Sequence, residues 1–439
     1  MELVLKRGAR HGATVGAHRA GLEHAAVAGW VLVVVAGHVL GEALYARDPL
    51  VHIGAPPLVG SFDLRLSTRM LPALALAATA VIWAPALAAR MRWRGLLAAS
   101  WAAAAGWAIA LATTDGWQAL ATPLQSRFEL LTTMPLVESP GRFLQTFTDA
   151  LPSYATHVQG HPPGGVLLLW ALGGAGLGGA EAAAALVLAC GAITAPAALV
   201  AVRALAGEAQ ARAAAPFLSF TPAAVWMATS FDALYAGVSA AGIALVALAC
   251  TDQRPRRAIL LALAAGIVLG VALQLSYGVA TLAAVVIAIA LGRRRPAVIA
   301  LAGASVALVL GAFFAAHFNW FEGLQGTREQ YLAGVSQRRP YVEFIVISLA
   351  AFALTVGPAA AAGLARLRDR GIWLLAGGAL TALAAADLSG MSKGETERIW
   401  LPFVPWLLVA TAPLARSRSW LAAQVGLGLA LQVGVRSPW

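Results

Sequence analysis

Lysine is almost missing: the 439 residues hold only two, Lys6 and Lys393. Cysteine is equally scarce. Cys190 and Cys250 both lie in apolar surroundings, too few to build a disulfide framework or a cysteine-ligated metal cluster. Charged residues make up 12% of the chain against 60% hydrophobic ones, too little polar surface for a water-soluble globule. Glycine-rich phosphate loops, serine nucleophile elbows and zinc-ligand spacings are also missing, which removes the common soluble nucleotide-binding and hydrolase classes.

What remains is a succession of apolar segments rich in Ala, Leu, Val and Gly, recurring from about residue 25 to the end, each near the 20 residues that cross a bilayer. Barrel strands would alternate polar and apolar residues, and these segments do not. Helices satisfy their own backbone in lipid. The chain is therefore expected to be all-α, a polytopic transmembrane helical protein of roughly 11–13 spans. It reads as a single transmembrane domain over residues 1–439.

The net charge of +11 is distributed as punctuation between apolar segments: "RMRWR" (90–94), "RPRR" (254–257), "RRR" (293–295), "RLRDR" (366–370) and "RSR" (416–418). This is the positive-inside pattern of a multi-pass cell-membrane protein, not a nucleic-acid surface. Residues 1–24, with Lys6, Arg7, Arg10 and Arg19, are expected to be a cytoplasmic basic N-terminus. No small-residue cleavage site clearly follows the first apolar segment, which argues against a cleaved signal peptide. Counting outward gives a loop over 46–68, a long external loop over 114–163 and a second over 317–342. The bookkeeping between 164 and 232 stays open: two short spans, or one span and a partial or surface-lying helix.

Acidic residues collect on the outer side of this map: Asp115 where a helix emerges, then Glu129, Glu138 and Asp149, then Asp232, and finally Glu395 and Glu397 in "MSKGETERIWLPF". An ionisable residue at a membrane boundary is costly unless paired, and so is a functional candidate. Each also has a plainer reading. Asp115 suits a helix-terminus charge, Asp232 a helix cap, and a lone outer-loop histidine is usually a surface residue. Lys393, Glu395, Glu397 and Arg398 can neutralise one another on a solvated face. The combination carries more than its parts. The loop that opens with Asp115 closes with "YATHVQGHPPGGVLLLW" (154–170), where His157 and His161 precede a stiff Pro-Pro step into an apolar run.

An acid opening a large external loop, followed by a histidine before Pro-Pro and a helix, resembles the polytopic glycosyltransferases of the GT-C superfamily. That superfamily includes protein mannosyltransferases and the lipid A aminoarabinose transferase. "SYATHVQGHPPGGVLLLWAL" and "SKGETERIWLPFVPWL" look most like actinobacterial members. The chain departs from the commoner pattern in an extra helix pair before the loop and in Gly116 where a second acid is usual. The resemblance implies a GT-C-like fold and an inverting transfer from a polyprenyl-phosphate sugar donor to a glycan or protein acceptor, at the extracytoplasmic lip of the membrane. A base must take the acceptor proton, and cations must steady the departing phosphate. Asp115 is the expected base and Arg398 the leading phosphate binder. Asp232, His157, His161, Lys393, Glu397 and Arg338 are expected to bind substrate. No cofactor is certain; histidine and carboxylates suit a divalent metal, but no spacing asserts one. A transporter or lipid flippase and a non-catalytic envelope-assembly scaffold are the other classes such a chain fits.

Overall fold

The computed structural model describes residues 2–228 and 230–438, with side chains from residue 21 onward. The expected inner charges Lys6, Arg7, Arg10 and Arg19 lie outside the described side chains. The chain is 79% helical and is an all-α polytopic protein. Among the described residues, one small sheet pairs Ser61–Phe62 with Val435–Arg436, tying the 46–68 loop to the C-terminal segment.

Among the described residues eight helices are long and apolar enough to cross a membrane, or nine with the bent pair Tyr341–Val356 and Pro358–Arg366. The expected 11–13 spans are thus not all whole helices. Segments 208–228, 277–292, 401–411 and 417–434 join the same two ends of the bundle in shorter, less apolar or broken stretches. Prolines, which donate no backbone hydrogen bond, accompany two of the breaks: Pro222 follows the end of Glu208–Ser219 in the first, and Pro402 and Pro405 fall in the third. Gly164–Gly174 settles the segment left open by the sequence. At 11 residues it is about 16 Å long, too short to cross. The next helix packs on the Thr122–Gln125 turn of the 114–163 loop, and Ala180–Ala206 is long and apolar enough to cross.

The 90° bend follows from two adjacent residues. Gly357 has φ +82, a conformation glycine adopts without steric cost, and Pro358 starts a new helix with its φ already set. The break frees backbone groups in an apolar interior, and Gln424 satisfies them. Its Nε2 donates to the Val356 carbonyl at 2.9 Å and its Oε1 accepts from Ala359 N at 3.2 Å. Elsewhere small residues set the packing. An added Cβ at Gly237 or Gly266 would collide with the Cys190 or Ala302 carbonyl, so these helices approach backbone to backbone.

The bundle has two chemically distinct ends. At one, Arg212 donates to the Ala88 and Met91 carbonyls, Arg203 stacks on Trp93, Arg293 reaches Leu205 and Arg366 pairs with Glu23. The basic clusters therefore meet there, as positive-inside patterning requires. A cavity of about 250 Å3 lined by Leu22, Gln210 and Arg366 lies at this end. At the other, Asp48 meets Arg338 and Asp232 meets Arg398.

Candidate active site

Arg398 is the hub of the second end. It stands on the short turn Thr396–Ile399, entered through Gly394 at φ +82 and Glu395 at φ +62. A non-glycine residue in that region is strained and marks a place where side-chain position matters. The turn brings Glu395 and Arg398 together: Arg398 Nη2 donates to Glu395 Oε2 at 2.6 Å. Nη1 donates to Asp232 Oδ2 at 2.6 Å. Asp232 opens the helix Phe231–Thr251, and the Ser230 hydroxyl donates to the same oxygen at 2.8 Å.

The third partner of Arg398 is His157. Arg398 Nη2 lies 2.8 Å from His157 Nε2, and a guanidinium only donates, so Nε2 accepts. The ring proton then sits on Nδ1, which meets Glu129 Oε1 at 2.8 Å. Glu129, His157 and Arg398 form a directed chain of hydrogen bonds with a fixed tautomer. The members are 4%, 8% and 5% exposed, and Asp232 is 2% exposed. Burial opposes the charge on Arg398, but Asp232, Glu395 and Glu129 outweigh it and hold the guanidinium above its ordinary value. Glu395 is the mirror case: burial lifts it, yet Arg398 and Arg339 keep its carboxyl below the usual carboxylate range. Such a cluster is poorly explained as a stabilising device, since an apolar core of the same volume is usually as stable.

The "GHPPGG" stretch sits directly against this network. His161 Nδ1 donates to the His157 carbonyl at 2.6 Å, so on the neutral ring Nε2 carries the lone pair. Burial keeps the ring below the ordinary imidazole value, against a smaller opposing pull from Asp232. The ring lies 5.2 Å from that of Tyr235, one turn beyond Asp232. Pro162 and Pro163 then launch the helix Gly164–Gly174, whose first two glycines pack on Gln274 and on Leu130 and Tyr235.

The remaining residues singled out in the sequence have different surroundings. Lys393 Nζ donates to the Ser336 and Arg339 carbonyls at 2.6 and 2.8 Å, pinning the 317–342 loop. Arg338 pairs with Asp48 at 3.0 Å and keeps a side chain 53% exposed. Glu397, fully buried, accepts from Val59 N at 3.1 Å, and burial pushes its carboxyl up to about 7. Asp115 pairs with Arg65, which also donates to the Gln432 and Val435 carbonyls at 2.8 and 2.7 Å. None of these Asp115 partners belongs to the Arg398 network. Both terminal nitrogens of Arg398, the expected phosphate binder, are engaged by acids and a histidine.

Glu129 and Glu395 stood among the acids of the sequence without an assigned role, and Tyr235 and Gln274 join the site without having been singled out at all. Glu395 carried a further local signal, its three-residue spacing from Arg398. Among the described residues no group of three or more His, Cys, Asp or Glu is arranged to hold a metal ion.

The fold and site define a multi-pass helical membrane protein with a buried ionisable centre at the end opposite its basic loops. No family model, curated protein or solved structure matches the chain.

Proposed function

We propose that the protein is a membrane glycosyltransferase that takes a sugar from a polyprenyl-phosphate donor and passes it to a glycan or protein acceptor. The observation that carries this reading is the Arg398 network, in which His157 and Asp232 from distant segments converge beside His161 and "HPPGG". A buried polar centre near a membrane boundary suits a reaction between a lipid-borne donor and a water-borne acceptor. With the basic loops inside, the N-terminus is cytoplasmic and this centre faces outward, in the cell membrane.

In the transfer, the acceptor oxygen forms a bond to the anomeric carbon as the bond from that carbon to the phosphate oxygen breaks. The acceptor proton goes to a base, and the polyprenyl phosphate leaves with the electron pair. We assign the base to His161, whose Nε2 lone pair is oriented by the Nδ1 bond to His157. Asp115, the other candidate, is paired with Arg65 and lies outside the Arg398 network. Phosphate charge is met by the exposed Arg338 on the 317–342 loop, while Arg398 holds Asp232, Glu395 and His157 in position. Lys393 and Glu397 support that loop and the 51–59 segment around the donor.

One observation favours a transporter instead: crossing segments broken at Gly357 and over 401–411, the irregular backbone common in transport proteins. Purified protein in detergent decides between the two. An enzyme forms glycosidic product there, whereas a transporter moves substrate only in sealed vesicles.

A further inference from the structure

Tyr235 and Gln274 are 1% and 2% exposed, and neither has a partner for its polar atoms: the tyrosine hydroxyl and both amide atoms of the glutamine stand unbonded. Buried polar groups are nearly always hydrogen-bonded, so three such atoms in one region call for an explanation. The region is one place. An ideal Cβ on Gly164 would lie 2.3 Å from the Gln274 carbonyl oxygen and 3.2 Å from the Gln274 Cβ, and one on Gly165 would lie 3.5 Å from the Tyr235 hydroxyl. Consecutive glycines therefore pack against both residues. His161, three residues earlier, lies with its ring 5.2 Å from that of Tyr235.

We propose that Tyr235, Gln274 and the Nε2 edge of His161 form a subsite for the hydroxyl groups of a neutral sugar ring. The chemistry fits an uncharged polyol rather than a phosphate. The amide offers two donors and an acceptor, the phenol one of each and the imidazole nitrogen an acceptor, and none carries a full charge. A vicinal diol, which donates and accepts at each oxygen, matches such a set. This inference rests on the transferase reading in taking the sugar to be that of the donor or acceptor, but sugar binding is testable without any transfer.

Tyr235→Phe and Gln274→Met keep shape and remove only unbonded polar atoms, so both variants fold with unchanged or higher melting temperature. Saturation-transfer NMR on the full chain in detergent uses methyl mannopyranoside, methyl arabinofuranoside and methyl glucopyranoside as probes, with inorganic phosphate as the charged control. At least one glycoside receives saturation from the wild type. Its affinity falls about fivefold in Tyr235→Phe and more in Gln274→Met, the loss of one and of several hydrogen bonds. No signal from any of the three glycosides, or a signal that both variants retain, overturns the subsite. If transfer activity persists with unchanged donor KM in both variants, the subsite falls and the transferase stands. If glycoside binding is lost as stated while no donor supports transfer, the subsite stands and the transferase reading falls.

Discussion

Arg398 and Asp232, 166 positions apart in sequence, meet at 2.6 Å with both side chains buried. The contact locks the "ETER" turn onto the first turn of a membrane helix and makes Arg398 the shared counter-ion of Asp232 and Glu395. Removing the arginine leaves buried carboxylates uncompensated, so Arg398→Met is expected to cost about 3–5 kcal/mol of stability. Arg398→Lys keeps one charge but not the fork that reaches three partners, and should recover only part of that loss. Chemical denaturation in detergent reads both. A change under about 1 kcal/mol for Arg398→Met, the size of an exposed pair, would show that the network is not buried as described.

His161 carries the proton-transfer prediction. His161→Gln should lower the transfer rate by about 10^2 to 10^4, the usual contribution of a general base, with little change in donor KM. Because burial holds the folded ring below its ordinary value, the unfolded chain binds the proton first as pH falls. Its stabilising contribution is therefore present above about pH 6.5 and lost below it. The acid limb of the stability profile should be shallower in the variant, and an unchanged limb counts against the assignment.

Glu397 works in the opposite sense. Its folded value of about 7 stands above the ordinary 4.5, so the folded state holds a proton that the unfolded chain gives up. Stability is full at low pH and declines as pH rises toward 7, by on the order of 3 kcal/mol. Glu397→Gln should match the wild type near pH 4.5 and exceed it at pH 8. Parallel melting curves at the two pH values would sink the idea.

Asp115→Asn separates two bases. The exposed pair with Arg65 contributes about 1 kcal/mol or less, so the variant should fold and retain most of its transfer activity. Loss of transfer beyond about 100-fold, the lower bound for removing a general base, moves the base to Asp115.

Gln424→Leu tests how the bent span is held. The substitution removes both partners of the backbone break at Gly357, which at about 1–3 kcal/mol for each group left unsatisfied makes this one of the more damaging interior changes. Thermal unfolding in detergent reads it directly.

The apolar segments made the helical fold legible, since most run near the length of a bilayer and basic residues mark one end of the bundle. The bend at Gly357 and the breaks at Pro402 and Pro405 were less visible, because hydropathy does not register where the backbone turns. At the site, His157, His161, Asp232 and Arg398 were each marked by an ionisable side chain beside an apolar run. Their convergence was not, for Arg398 and His157 are 241 positions apart and only tertiary packing joins them. Tyr235 and Gln274 had no local signal at all: each is a single polar residue inside an apolar helix, indistinguishable in sequence from a bonded one.

The most direct measurement is radiolabel transfer by purified protein in detergent, with a panel of decaprenyl-phosphate sugars, crude envelope acceptors and His161→Gln as control. Label should reach acceptor from one donor with the wild type and fall at least 100-fold in the variant. No transfer from any donor by folded wild-type protein contradicts the account.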